Sequence, residues 1–222
     1  MPVRVFLVDD QDLVRAGFRM VIDSQPDLAV VGESGDGDSA LQTLSVTRAD
    51  VVLMDVRMPV LDGVEATRRL NDRPDPPKVI VLTTFDLDEY AFAALKAGAS
   101  GFLLKDAQPP VLLDAIRAVH AGDAVVAPST TRRLIERFAT HLPDDRTPPA
   151  PTVWQDLTPR EHEIVREVAR GRSNSEIAEA LFVTEATVKT HIGRILAKVG
   201  LRDRVQLVVL AYETGLIRPG AL

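Results

Sequence analysis

Five reactive side chains in this chain stand where short apolar runs stop. Asp9 and Asp10 follow residues 5–8, Asp55 follows 51–54, Thr83 follows 79–82 and Lys105 follows 102–104. Brought together, they would place three carboxylates, a hydroxyl and an ammonium in one crevice. Carboxylates in such proximity repel one another by amounts that matter, so the cluster either holds protons or recruits a hard cation. Magnesium suits it, because that ion favours carboxylates together with water and phosphate oxygens. With the cation in place, an Asp carboxylate can attack a phosphoryl group while the Lys ammonium and Thr hydroxyl stabilise the equatorial oxygens.

The runs that carry these residues are rich in Val, Leu and Ile and are separated by amphipathic segments of helix length. That pattern predicts central strands of a parallel sheet, and ligands of such sheets gather at the carboxyl ends of the strands. Singly, each residue would read as a helix cap, a turn former or a solvated charge. Five of them on successive strand ends of one doubly wound pattern point instead to a shared site.

The segments VFLVDD, LMDVRMPVLDG, VLTTF and GASGFLLKD, in that order, resemble the receiver domain of bacterial two-component response regulators over residues 1–125. The resemblance implies a flavodoxin-like α/β fold, doubly wound around a parallel sheet of five strands. It implies that Asp55 accepts a phosphoryl group. Asp10, Asp55 and the backbone carbonyl of Arg57 would hold magnesium, Asp9 would help through water, and Thr83 and Lys105 would bind the phosphoryl group. Thr83 and Phe102 would form a switch. The phosphoryl group draws Thr83 inward and Phe102 rotates into the vacated space, altering the face around the fourth helix and fifth strand. Phe85 and Arg57, each two residues beyond a site residue, would line the approach of water to an aspartyl phosphate. Asp106 stands where many receiver domains have proline.

Composition sets limits on the rest. A chain of 222 residues with 45% apolar content suits one large or two modest domains, each with its own core. The absence of cysteine excludes disulfides, thiolate zinc sites and a cysteine nucleophile. His120, His141, His162 and His191 show no metal-ligand spacing. No run approaches a membrane span, and the first residues turn acidic too soon for a signal peptide, so a cytoplasmic protein is expected.

Charge and proline mark a boundary. Residues 1–153 carry 16 basic and 23 acidic side chains, a net of −7, whereas residues 154–222 carry 10 and 9, a net of +1. Four prolines in HLPDDRTPPAPTV, residues 141–153, predict a semi-rigid linker, preceded by a helix that Ser129 caps and that runs through Leu134, Ile135 and Phe138. The expected units are residues 1–125, a connecting helix and linker over 126–153, and a small all-α domain over 154–222.

Beyond the linker the sequence predicts four helices. Thr158, Pro159 and Glu161 make a capping-box start, Gly171 stops that helix, Ser173 and Thr184 can start the next two, and Asp203 or a near neighbour the last. Ile177, Ala178 and Leu181 share a face of a short helix, and Val183 and Thr184 form a tight turn into a longer helix over 185–199. On that longer helix Val188, Ile192, Ile195 and Val199 mark a buried stripe. Its other side presents Ala186, Lys189, Thr190, Gly193, Arg194 and Ala197, with Thr187 and Lys198 at the edges: small residues flanked by basic ones, as a helix seated in a major groove needs.

This half resembles the DNA-binding domain of LuxR/NarL type over residues 155–217, through LTPRE, SNSEIAEAL, TVKTHIGRILAKVG and RVQLVVLA. The resemblance implies that Lys189 and Thr190 reach base edges and that Thr187, Arg194 and Lys198 meet phosphates. It implies that Val205, Val208, Val209 and Tyr212 of the last helix pair two protomers. The same apolar residues fit an intramolecular core equally well. Gly193 stands where relatives often place a longer polar side chain.

Together these features predict a transcriptional regulator switched by phosphorylation at Asp55. The expected partners are a sensor histidine kinase, double-stranded DNA carrying an inverted repeat, and a second copy of the chain at least in the active state. A magnesium-dependent phosphatase that uses an aspartyl phosphate is the enzyme-class alternative. Such enzymes carry a second Asp two residues after the nucleophile, where this chain has Arg57, so turnover of external substrates is not expected. A regulator that never uses phosphate is the other alternative, and intact Asp9, Asp10, Asp55, Thr83 and Lys105 speak against it.

Overall fold

The computed structural model describes residues 1–83, 93–122 and 152–217. Phe85, the helix expected after Ser129 and the proline-rich residues 141–151 lie outside the described residues. By its internal contacts the chain divides into two compact units, Met1–Val125 and Val126–Leu222. Among the described residues no helix is long and apolar enough to cross a membrane.

The first unit is a sheet of five parallel strands in the order β2-β1-β3-β4-β5. The strands are β1 (Val3–Val8), β2 (Leu28–Ser34), β3 (Val51–Asp55), β4 (Lys78–Thr83) and β5 (Gly101–Leu104). Every residue of β3 is buried, as expected of a strand covered on both faces. Between the strands lie α1 (Asp12–Asp23), α2 (Gly37–Thr43) and α3 (Gly63–Asn71), then the helical residues 93–96 (α4), and α5 (Pro109–His120) follows β5. Alternate residues Val5, Leu7, Val51, Leu53, Ile80, Leu82 and Leu103 form one core with Ile22 of α1 and with Leu112, Leu113, Ile116 and Val119 of α5. The strand order reverses between β1 and β3, which opens the crevice at their carboxyl ends.

Register fixes what meets there. Asp55 pairs with Leu82, and Thr83 with Leu104, so each residue that ends a strand lies beside the end of its neighbour. The Lys105 amide donates to the Thr83 carbonyl at 2.8 Å, extending the ladder one step beyond β5.

The second unit holds α6 (Pro159–Ala169), α7 (Asn174–Leu181), α8 (Glu185–Val199) and α9 (Arg204–Glu213). Thr158 and Ser173 each close a capping box, with Glu161 and Glu176, and Thr184 and Asp203 cap the other two helices through their side chains. Gly171, at a φ of 77°, follows α6 in the left-handed conformation that glycine adopts without strain. One core joins the four helices through Ile164, Val165, Val168, Ile177, Val188, Ile192, Ile195, Leu207 and Ala211. Trp154 is buried in it, and its indole N–H donates to Thr214 Oγ1 at 3.0 Å, tying the start of the unit to the end of α9.

Candidate functional site

The crevice of the first unit gathers the expected residues. Asp9, Asp10 and Asp55 each offer a carboxylate oxygen, and these atoms all lie within 4.8 Å of one another. Asp9 and Asp55 are buried, at 1% and 4% exposure, while Asp10 stands at the open edge. Lys105 Nζ lies 2.8 Å from Asp9 Oδ2 and 2.8 Å from Asp55 Oδ2, bridging the ends of β1 and β3. The Arg57 backbone N–H hydrogen-bonds the Asp55 carboxylate. Thr83 and Phe102 are both buried, so Phe102 already occupies an interior position.

The peptide around Asp9 is held from several sides. Its N–H donates to the Ser34 carbonyl at 3.2 Å, and its Oδ1 accepts from the Gln11 N–H at 2.9 Å. After Asp55 the chain turns sharply. Val60 has a φ of 66°, unusual for a β-branched residue, and the Leu61 N–H closes onto the Pro59 carbonyl at 2.8 Å. This turn delivers Gly63, the first residue of α3, against the backbone of Asp55, where a Cβ at position 63 would overlap the Asp55 carbonyl oxygen. Only glycine allows that approach.

Lys105 pairs with Asp9 and Asp55, and Asp10 completes the group of three carboxylates. Burial pushes the Asp55 carboxyl above its ordinary value, with Lys105 pulling it down and Asp9 adding to the rise. Burial alone would lower Lys105, but its hydrogen bonds to Asp55 and Asp9 outweigh this and hold it above the usual lysine value, so it stays charged. A cluster with this donor set, hard oxygens only and short of positive charge, fits a hard divalent cation such as magnesium.

The exposed side of α8 in the second unit matches the face expected from the sequence. Ala186, Lys189, Thr190, Gly193, Arg194 and Ala197 are exposed, and Val188, Ile192 and Ile195 are buried. Thr187 belongs in part to the cap: its N–H and hydroxyl both meet Thr184 Oγ1, at 3.2 and 2.9 Å. A Cβ at Gly193 would meet nothing within 4 Å, so packing inside the unit does not require glycine there.

Lys198, expected at phosphates, also pairs within its own unit. Its Nζ lies 2.7 Å from Glu161 Oε2 and donates to the Asp156 carbonyl at 3.1 Å, which ties the end of α8 to the capping box of α6. The four residues of the expected pairing face on α9 lie largely within their own unit. Val208 lies in the domain's own core, and Tyr212 packs against that core while its hydroxyl donates to the Ala169 carbonyl at 3.1 Å. Val205 and Val209 are buried as well. Val208 and Tyr212 thus take the intramolecular-core alternative that their apolar pattern also allowed.

Three features escaped the sequence reading. Arg15 reaches back from α1 to the Asp9 carbonyl, and only its spacing from Asp9 could have hinted at this. Phe182 ends α7 in the left-handed conformation, at a φ of 55°, with 95% of its surface exposed. The Lys198 to Glu161 ion pair spans 37 residues and has no local signature.

Comparison with known proteins agrees with the geometry. Residues 5–117 match the family model of the response regulator receiver domain, and residues 155–211 match that of the bacterial regulatory proteins of the luxR family. The transcriptional regulatory protein YxjL of Bacillus subtilis is 44% identical over 97% of this chain and 98% of its own length. The transcriptional regulatory protein LiaR of Bacillus subtilis is 37% identical over 97% of this chain and 99% of its own. Among solved structures, the response regulator ChrA of a heme-sensing two-component system is 38% identical with a TM-score of 0.53, covering 97% of this chain and 99% of that one. The RcsB response regulator of Salmonella typhimurium, described for its DNA interaction, is 25% identical with a TM-score of 0.57, covering 95% and 98%. With its acidic crevice at the end of a five-stranded parallel sheet and its capped four-helix unit, this chain belongs to the response regulators that join a receiver domain to a LuxR-type DNA-binding domain and regulate transcription.

Proposed function

We propose that phosphorylation of Asp55 switches this regulator between two states of DNA affinity. The observation that carries the reading is the buried Asp55 carboxylate, 2.8 Å from the Lys105 ammonium and grouped with two further carboxylates at a strand switch point. Asp10, Asp55 and the Arg57 carbonyl would hold magnesium, with Asp9 acting through water. The bound ion would offset negative charge on the incoming phosphoryl group. An Asp55 oxygen forms the new bond to phosphorus as the phosphorus–nitrogen bond of a kinase phosphohistidine breaks and the imidazole nitrogen leaves. Lys105 and Thr83 then bind the phosphoryl oxygens. Phe102, on the neighbouring strand opposite Val81 and so two residues short of Thr83, passes the change to the surface around α4 and β5.

The chain promotes its own phosphorylation and dephosphorylation and turns over no external substrate, since Arg57 holds the position where a phosphatase of this chemistry needs an acid. The exposed face of α8 reads DNA, with Lys189 and Thr190 toward the bases and Thr187 and Arg194 toward phosphates. The likeness to RcsB supports this assignment. Two copies acting together would recognise an inverted repeat.

The test uses magnesium and a small acyl phosphate. Mass spectrometry should find one acid-labile phosphoryl group on the wild type and none on Asp55→Asn. Equal labelling of the two proteins, or labelling that a chelator leaves untouched, overturns the reading.

A further inference from the structure

We infer that Arg15 is a positioning residue for the acidic crevice: its guanidinium pins the Asp9–Asp10 peptide and thereby aims the Asp10 carboxylate at the cation. The inference rests on the reading of that crevice as a magnesium and phosphoryl site.

Asp10 is the exposed member of the cluster, and no side-chain hydrogen bond holds its carboxylate among the described residues. Its direction therefore depends on its backbone. The carbonyl of Asp9 and the N–H of Asp10 belong to one rigid peptide plane, so whatever fixes that carbonyl fixes the frame from which Asp10 projects. Arg15 Nη1 donates to that carbonyl at 2.5 Å. The bond is charge-assisted and comes from a planar group, which gives it direction as well as strength.

Helix stabilisation does not account for this arginine. Its partner within α1 is Asp12, whose side chain is 92% exposed, and an exposed pair three residues apart contributes little. Yet the Arg15 side chain is just 15% exposed, and its Nε is buried with no hydrogen-bond partner among the described residues. Burying a cation with a donor unmet is unfavourable, and a weak surface pair does not offset it. The bond to the Asp9 carbonyl is what the burial accomplishes.

The proposal makes a prediction opposite in sign to simple electrostatics. Removing a positive charge beside three carboxylates should strengthen cation binding if charge is all that Arg15 supplies. Loss of a positioning contact should weaken it, and groups that orient metal ligands typically change affinity by roughly 10–100-fold when removed.

Calorimetric titration of the full chain with magnesium alone reads the difference, using Arg15→Met, which keeps the apolar stem, and Arg15→Lys, which keeps the charge and can still reach one acceptor. Arg15→Met should bind magnesium roughly tenfold more weakly and Arg15→Lys should recover part of the loss. Melting curves in chelator identify any variant that has simply lost its fold, and Arg15→Lys then carries the test. If the wild type binds magnesium but Arg15→Met binds it as tightly or more tightly, the positioning role is overturned and the site reading stands. If the wild type itself binds none, both fall.

Discussion

The Lys198 ammonium lies 2.7 Å from the Glu161 carboxylate, so the end of the exposed helix α8 is fastened to the first turn of α6. Glu161 also accepts from the Thr158 N–H at 2.8 Å within the capping box. Hydrogen bonds from Lys198 first, and from the Thr158 backbone next, hold its carboxyl down at about 2 from an ordinary value of 4.5. A carboxyl depressed in the folded state contributes stability that is complete above its unfolded value and is lost as pH falls through its folded value.

Lys198→Met should therefore lower the stability of the second unit by roughly 1–2 kcal/mol at neutral pH. The gap between variant and wild type should close as pH falls from 4.5 toward 2, where Glu161 takes up its proton in both. Thermal melts across that range check it. A gap that stays constant, or widens in acid, would show that the pair is not what Lys198 supplies.

The same contact separates Lys198 from its neighbours on DNA. Arg194→Ala should weaken binding to all sequences alike and lower the dependence of log affinity on log salt by about one unit, and Lys198→Met should leave that slope unchanged. Lys189→Ala should cost on the order of 1–3 kcal/mol at the preferred site and relax specificity. Isotherms on operator and scrambled DNA over a salt series decide each case. An unchanged ratio of specific to non-specific affinity in Lys189→Ala withdraws α8 as the base-reading helix.

Gly63→Ala tests the turn that sets Asp55 in place. The added methyl would overlap the Asp55 carbonyl oxygen, and forced overpacking of this kind costs about 1–3 kcal/mol or more. The first unit should melt well below the wild type. A variant with unaltered melting would mean that α3 can withdraw from β3 without loss.

Tyr212→Phe separates a core role for Tyr212 from a pairing role. It removes the hydrogen bond to the Ala169 carbonyl and should lower stability by about 1 kcal/mol with no change of oligomeric state. Sedimentation that shows a shifted association in this variant would restore Tyr212 to a pairing surface.

The parts of the molecule that were legible in the sequence are those whose signal is local. Asp9, Asp55, Thr83 and Lys105 each end a run of apolar residues, so period and position alone set them at one edge of the sheet. The caps Thr158, Ser173, Thr184 and Asp203 act on backbone within three residues of themselves and were equally readable. The Lys198 ion pair was not legible because position on a helix face says that a lysine can reach solvent, not that a carboxylate 37 residues earlier is near. Tyr212 and Val208 were ambiguous for a related reason: an apolar helix face fits a core or a partner equally, and only packing tells them apart. Arg15 went unread because its acceptor is a backbone carbonyl, which no residue type announces.

If the state of Asp55 governs DNA binding, selection of bound genomic fragments reads it out. Wild type and Asp55→Asn are each presented with fragments, with and without magnesium and an acyl phosphate. Phosphodonor should change the set or yield of fragments retained by the wild type and leave Asp55→Asn unaffected. Identical retention by the wild type under both conditions, with phosphorylation verified by mass, would contradict it.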